Sequence, residues 1–314
     1  AELMDRRLWM LLGIVGLVAL ALPKLIYPIV AIDILCFALF AVALDLLFGF
    51  AGLLSFGQAM FWGGSGYVVA ILVQNLHLDG AVALGAGVVY AAVLATLVGA
   101  LVVRRSGIYF AMITLAIAQI EYFVAVQLKD LTGGENGLPM DTRGTFFGVH
   151  LSNDTAFYFV TLAIVALCVW AVIRVVGSPF GTVLRAIRQN ETRTIALGYR
   201  VNRFKLATFV ISGVLCGLAG GLYALGNRLA GLEMIDWHTS GAVVMMAILG
   251  GSGTIVGPII GAGIYQIIEY FVSKTAIGQE TDLVLGLVFA VCILAFRQGI
   301  VGGVLLIPWR KTST

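Results

Sequence analysis

Residues 45–73 read DLLFGFAGLLSFGQAMFWGGSGYVVAILV, an apolar run that is long enough to cross a bilayer. Glycines interrupt it at positions 49, 52, 57, 63, 64 and 66, and glycine both weakens a helix and lets another backbone approach closely. Ser55 and Gln58 place polar groups where lipid cannot satisfy them, so we expect them to face protein or a water-filled path. The stretch predicts an irregular membrane segment, and residues 49–57 are called the first glycine break below.

The composition is that of a membrane protein. Of the 314 residues, 61% are hydrophobic and 11% are charged, whereas about a quarter of the residues of a soluble domain are charged. The net charge is only +3 and the basic residues cluster at the ends of apolar runs, so we expect no nucleic acid partner. We predict a single all-α polytopic membrane domain over residues 1–314.

Ten apolar segments fit membrane helices, each of which needs about 20 apolar residues. They are 8–22, 29–48, 59–75, 81–103, 107–128, 156–176, 205–226, 240–250, 254–273 and 282–297. The sequence Ala19-Leu20-Ala21 also fits a signal-peptidase site. We nevertheless expect an uncleaved first helix, because the rest of the chain is membrane-embedded too.

Clusters of Lys and Arg predict the orientation, because short loops that carry them stay in the cytoplasm. Arg6 and Arg310 place the N- and C-termini there, together with a strongly basic loop at residues 178–204. The loop at residues 129–155 then lies outside the cell. This parity requires the short segment 240–250 to cross the membrane as a broken helix.

A second glycine break follows that short segment. It consists of Gly250, Gly251, Ser252 and Gly253. Interrupted membrane segments in the two halves of a transporter indicate an internal repeat and a translocation path. We therefore predict path residues in both breaks and at the residue that follows the first: Gly49, Gly52, Ser55, Gly57, Gln58, Gly250, Gly251, Ser252 and Gly253.

The basic loop at residues 178–204 carries the signals of two short helices. Ser178 followed by Pro179 marks the start of the first, Asn190 the start of the second, and Gly198 the end of the second. Apolar residues recur at helical spacing on the first helix, at Phe180, Val183, Leu184 and Ile187. By this pattern alone, the first helix either lies on the inner leaflet or docks onto a partner.

Five strings of the sequence resemble one protein family. They are SFGQAxF with the following GxxY (55–67), RxxGIYFAMITLAIAQI (104–120), TGGENGL (132–138), SPFGxxLRAIRxNE (178–191) and MMAILGGxGTxxGP (245–258). The chain resembles permease subunits of ABC importers for branched-chain amino acids, in particular the second of the two paralogous permeases. Permeases for urea and short amides are close relatives. The chain departs from the family at Ala242, where relatives often carry an acid, so no gating role is assigned there.

The resemblance implies a type II-like importer permease whose basic loop docks an ATPase. The residues it assigns to docking are Phe180, Leu184, Arg185, Arg188, Asn190 and Glu191, with Phe180 and Leu184 buried against the ATPase. In the fifth segment, Thr114 and Gln119 either line the path or make ordinary helix hydrogen bonds, and the sequence leaves both interpretations open.

The resemblance also implies a set of partners. A paralogous permease subunit would supply the other half of the path, and two ABC ATPase subunits and a periplasmic or lipid-anchored substrate-binding protein would complete the importer in a bacterial inner membrane. The sequence has no GxxxxGK[ST] nucleotide loop, so we expect no cofactor on this chain and ATP use by the partner subunits. Leucine, isoleucine and valine are the expected solutes; urea, short amides and other small amino or carboxylic acids stay open.

No catalytic residue and no metal site is expected. The three histidines are scattered in predicted external loops, and the four cysteines lie inside apolar runs without metal-ligand spacing.

Four acids lie in or near apolar runs, at Asp33, Asp45, Glu121 and Glu269. We expect the three near helix ends to be hydrated and Glu121 to be the best candidate for a buried role. If such acids carry protons, the chain is an ATPase-independent secondary transporter or channel rather than a permease of an ABC importer. The third alternative is a membrane scaffold that transports nothing.

Overall fold

The computed structural model describes residues 2–146, 149–150, 153–274, 283–287, 289–290 and 299–301, and most of them are helical. In chain order the helices are α1 (Glu2–Leu25), α2 (Pro28–Asp45), α3 (Gln58–Leu76), α4 (Gly80–Val102), α5 (Ile108–Gln127), α6 (Lys129–Thr132), α7 (Asp154–Gly177), α8 (Pro179–Gln189), α9 (Glu191–Ala196), α10 (Val201–Asn227), α11 (Trp237–Gly250) and α12 (Val256–Ser273). A π-helical turn, Leu46–Phe50, extends α2. Short strands join the connections at one end of the bundle: β1 (Leu138–Pro139) pairs with β4 (Leu229–Ala230), and β2 (Thr145–Phe146) pairs with β3 (Val149–His150), both antiparallel.

The predicted all-α polytopic fold is confirmed. Within the described ranges, seven helices are long and apolar enough to cross a membrane, and each coincides with a predicted segment. Segments 8–22 and 240–250 coincide with two shorter apolar helices, Met10–Leu25 and Trp237–Gly250. The last predicted segment, 282–297, lies mostly outside the described residues.

The centre of the bundle is formed by α2, α3 and α10, most of whose residues are buried, whereas only 33%, 28% and 33% of the residues in an apolar 18-residue stretch of α4, α5 and α7, respectively, are buried. Glycine allows the close approach of α3 and α10, because a Cβ on Gly220 would overlap with the backbone of Trp62. The Trp62 ring stacks on Phe40 at 4.5 Å between centroids, and Phe37 and Tyr223 complete the aromatic cluster. In the core, glycine thus brings the helices close together and aromatic rings fill the space between them.

A buried arginine ties the long connection between α5 and α7 to the bundle. Arg143 is only 3% exposed; its Nε donates to Leu225 O at 3.0 Å and its Nη2 to Gly226 O at 2.9 Å, near the C-terminus of α10. Nη2 also lies 2.6 Å from Asp154 Oδ1, and the guanidinium stacks over the Phe157 ring. Burial lowers the pKa of Arg143, and the hydrogen bond and charge of Asp154 oppose that shift. A cation at the carboxyl end of a helix also suits the helix dipole.

We expect Arg143→Met to lower the free energy of unfolding by about 3 kcal/mol, because it removes charged hydrogen bonds and leaves Asp154 without its closest cation. The midpoint of thermal unfolding in detergent measures this. Arg174→Met, at an exposed arginine near the other end of the bundle, is the matched control. Equal midpoints for the two variants would contradict a stabilising role for Arg143.

Candidate functional site

The two glycine breaks meet at the end of the bundle that carries α8. The second break donates a hydrogen bond to the end of α2: Gly253 N lies 2.9 Å from Asp45 Oδ1 and 3.1 Å from Oδ2. Asp45 is 1% exposed. Our expectation of a hydrated helix end at Asp45 was therefore wrong, because the second break covers the carboxylate and supplies its hydrogen-bond donor.

Backbone geometry explains why glycine occupies these positions. Gly52 has a φ of +73° and Gly253 a φ of +82°, values that side chains with a Cβ rarely adopt. At Gly49 the φ is ordinary, but an added Cβ would overlap with the Asp45 carboxylate and with Gly253 N. The glycines thus allow the chain to reverse here and the two breaks to touch.

Polar side chains in and around the first break satisfy its irregular backbone. Ser55 Oγ accepts from Gly57 N at 3.2 Å, and Thr114 Oγ1 accepts from Phe56 N at 3.2 Å. Thr114 also donates to the carbonyl of Ala111 on its own helix at 2.9 Å. The hydrogen bond of Thr114 to its own helix is thus present, and the same hydroxyl also holds the first break.

The predicted path residues differ in exposure. Ser55, Gln58 and Thr114 are completely buried, so they hold the packed breaks together here, and lining a path stays a prediction for them. Gln58 Oε1 lies 3.2 Å from Cys216 Sγ, while its Nε2 has no hydrogen-bond partner among the described residues. Gln119 lies on α5 and is partly exposed.

The basic loop folds into the two predicted helices, α8 and α9. Pro179 is the first residue of α8, and Ser178 is its N-cap by position, although its hydroxyl donates to Val175 O at 2.7 Å. Asn190 caps α9, because its Oδ1 accepts from Arg193 N at 2.9 Å. Gly198, with a φ of +88°, follows the end of α9. The predicted helix boundaries in this loop are confirmed.

The apolar stripe of α8 faces the bundle. Val183, Leu184 and Ile187 are buried within the chain, where α8 packs against α7, α10 and the π-helical turn. Phe180 is partly buried and stacks on Phe204 at 5.4 Å between centroids. The prediction that Leu184 is buried against an ATPase is therefore wrong, because Leu184 is already fully covered by this chain.

Three of the other predicted docking residues also make contacts inside the chain. Glu191 Oε1 lies 2.6 Å from Nζ of Lys205, a lysine that is 1% exposed, so this ion pair fixes α9 to the start of α10. The side chain of Asn190 is used as a cap. Arg188 Nη1 donates to Gly49 O in the first break. Arg185 is exposed and makes no side-chain hydrogen bond or ion pair within the described part of the chain.

Comparison with known proteins identifies the family. Residues 27–296 match the family described as "Branched-chain amino acid transport system / permease component". The chain belongs to this family. The predicted family resemblance is thus confirmed, and the seven long apolar helices are those of a multi-pass membrane permease.

Several curated permeases are similar to this permease. High-affinity branched-chain amino acid transport system permease proteins LivM of Salmonella typhimurium and Escherichia coli are each 27% identical to it over 241 residues, which is 69% of this chain. The chain spans 57% of the length of these two relatives. A probable LivM permease of Methanocaldococcus jannaschii is 24% identical over 73% of this chain and 76% of its own length. The ribose import permease protein RbsC of Bacillus subtilis is 28% identical over 53% of this chain and 51% of its own length. No solved structure matches the chain.

Proposed function

We propose that this permease is one membrane subunit of a binding-protein-dependent ABC importer and forms half of a translocation path for branched-chain amino acids. The family match over residues 27–296 carries the proposal. The names of the LivM relatives support leucine, isoleucine and valine as solutes. Urea, short amides and other small amino or carboxylic acids are the alternative cargo.

The energy for transport comes from other subunits in this proposal. The sequence has no GxxxxGK[ST] loop, so the chain binds no nucleotide by that means, and its role in the proposal is that of a transport subunit. Two ABC ATPase subunits hydrolyse ATP, a paralogous permease supplies the other half of the path, and a periplasmic or lipid-anchored binding protein delivers the solute. The permease lies in a bacterial inner membrane with both termini in the cytoplasm, as one membrane domain over residues 1–314.

The cytoplasmic ATPase would engage the outer surface of α8 and α9. The inner surface of α8 is already packed on the bundle through Val183, Leu184 and Ile187, so a force applied from outside is transmitted to packed side chains. Interfaces of this kind switch between discrete arrangements. ATP-driven closure of the two ATPases would thus change which side of the membrane the path opens to, while the external loop at 129–155 faces the binding protein.

Co-purification tests the assembly. We expect the tagged permease, extracted from its native membrane in mild detergent, to retain a second permease and two soluble ATPases. The binding protein encoded with them should bind leucine, isoleucine or valine in a calorimetric titration. If the ATPases are retained but the binding protein is specific for urea or an amide, the proposed solute is wrong and the ATP-driven mechanism stands. A permease that retains no ATPase would contradict that mechanism.

One observation favours the other transport class. Glu121 on α5 accepts a hydrogen bond from Tyr90 Oη at 2.6 Å, and its buried Oε2 has no partner among the described residues. A carboxylate of this kind inside a membrane segment is a candidate proton site. An ATPase-independent secondary transporter or channel would use it for coupling.

The variant Glu121→Gln separates the two classes. For an ATP-driven importer we expect uptake to stay within about twofold of the parent protein, because Gln keeps an acceptor for the Tyr90 hydroxyl, whereas a proton-coupled carrier would lose about tenfold or more. Uptake into vesicles, with and without an ionophore that removes the proton gradient, measures the difference. A tenfold loss together with sensitivity to the ionophore would favour the secondary transporter.

A further inference from the structure

We propose that Arg188 is a positioning residue that ties α8 to both glycine breaks, so that a displacement of α8 is transmitted to the junction of α2 and α11. This proposal rests on the proposed function and assigns Arg188 a role different from the docking contact expected from the sequence. Arg185, nearby on the same helix, keeps the docking role.

The first part of the tie is a backbone carbonyl left free by the π-helical turn. In a continuing α-helix, Leu53 N would donate to Gly49 O; here it donates to Leu47 O at 3.1 Å. The chain then turns away at Gly52, whose φ is +73°. Gly49 O therefore lacks its helical donor, and Arg188 Nη1 donates to it instead.

The second part of the tie is the close packing of the Arg188 side chain against a glycine of each break. A Cβ on Gly52 would lie 3.0 Å from Arg188 Cγ, and a Cβ on Gly253 would lie 3.0 Å from Arg188 Nη1. The side chain therefore runs along one break and ends at the other. Larger residues at either glycine would push the guanidinium away from Gly49 O.

The third part of the tie is the buried carboxylate beneath the guanidinium. Asp45 holds Gly253 N with both oxygens, at 2.9 and 3.1 Å, and a Cβ on Gly49 would overlap with its carboxylate. Arg188 Nη1 reaches the same two residues, because it donates to Gly49 O and lies 3.0 Å from the position of a Cβ on Gly253. A buried charge is tolerated when an opposite charge and hydrogen bonds accompany it. The cation on α8 thus stabilises the contact between the breaks as well as touching each of them.

These contacts predict what a motion of α8 does. If the ATPases pull α8 away from the bundle, Arg188 must either carry Gly49 with it or release the carbonyl and leave Asp45 without its cation. Both events alter the contact between Asp45 and Gly253. A side chain that only positioned α8 on the bundle would have no such effect on the breaks.

The test compares arginine variants in the assembled complex, reconstituted with its ATPases and binding protein. Arg188→Met should retain the ATPases but lower the amount of solute imported per ATP hydrolysed by about tenfold. Arg188→Lys should lower it by about threefold, because lysine keeps the charge and loses the fixed fork of donors. Asp45→Asn, which keeps an acceptor for Gly253 N and removes the charge, should lower the same ratio. Arg174→Met is the control and should leave the ratio unchanged.

The ratio of uptake to hydrolysis distinguishes a tie from a structural role, because simple destabilisation lowers both rates together and leaves their ratio intact. The proposal is overturned if Arg188→Met loses the ATPases, since Arg188 would then be a docking residue, or if the ratio stays at the parent value in Arg188→Met and Asp45→Asn. Absence of ATPases from the parent complex would instead overturn the proposed function.

Discussion

Gly250→Ala is expected to lower the yield of folded permease, and with it solute uptake, by about tenfold, because overpacking a tight contact costs about 1–3 kcal/mol or more. Gly250 ends α11 where that helix touches α12 backbone to backbone. An added methyl group would overlap with the carbonyl of Gly257 and would approach Gly261 N to 3.0 Å. Backbone atoms cannot rotate aside as a flexible side chain can, so the two helices would have to separate.

The matched control lies on the same helix. A Cβ on Gly241 would meet nothing within 4 Å, and alanine favours a helix over glycine at either position. Size-exclusion profiles in detergent and uptake in vesicles measure both variants. Normal folding and uptake of Gly250→Ala would show that α11 and α12 are not packed through this glycine.

Arg185→Glu is expected to weaken binding of the ATPase subunit by about tenfold or more and to reduce ATP-driven uptake in proportion. Arg185 is exposed on α8, and the apolar residues beneath it are buried within the chain. Reversing its charge therefore changes the surface offered to a partner without disturbing the packing of the helix. Because the contact is electrostatic and near the surface, added salt should weaken the parent complex as well.

Retention of the ATPase on the tagged permease, measured over a series of salt concentrations, tests this expectation. Arg174→Glu, which reverses a charge at the end of α7, is the control for a general electrostatic effect. Unchanged binding and uptake in Arg185→Glu would contradict the assignment of α8 as the docking surface. A loss of folded protein in that variant would also contradict it, because an exposed side chain should not be needed for folding.

Local signals in the sequence were sufficient to predict the two helices of the basic loop. Pro179, Asn190 and Gly198 fixed the boundaries of α8 and α9, because capping and the left-handed conformation depend on one residue and its immediate neighbours. The glycines of both breaks could likewise be read directly from the sequence as interruptions of apolar segments. These features require no knowledge of which helices are neighbours.

The contacts between distant parts of the chain were not predictable in the same way. Asp45 and Gly253 are 208 residues apart, and Arg188 and Gly49 are 139 residues apart. A carboxylate at a helix end has the same local sequence whether water or another backbone covers it. The burial of Asp45 and its partner in the second break could therefore be learned only from the packed bundle.

The amphipathic pattern of α8 shows a similar limit. Periodicity predicted that Leu184 would be buried, but it carries no information about which molecule does the burying. The structure places Leu184 in the chain's own core and leaves Arg185 outside. The ion pair between Glu191 and the buried Lys205 was missed for the same reason, since the two residues become neighbours only when α9 folds back on α10.

Uptake of labelled leucine into vesicles that contain either the whole complex or this permease alone will decide whether this chain depends on partner subunits for transport. We expect uptake only when the second permease, the ATPases, ATP and the loaded binding protein are all present. Uptake by vesicles that contain this chain and no other subunit would contradict it.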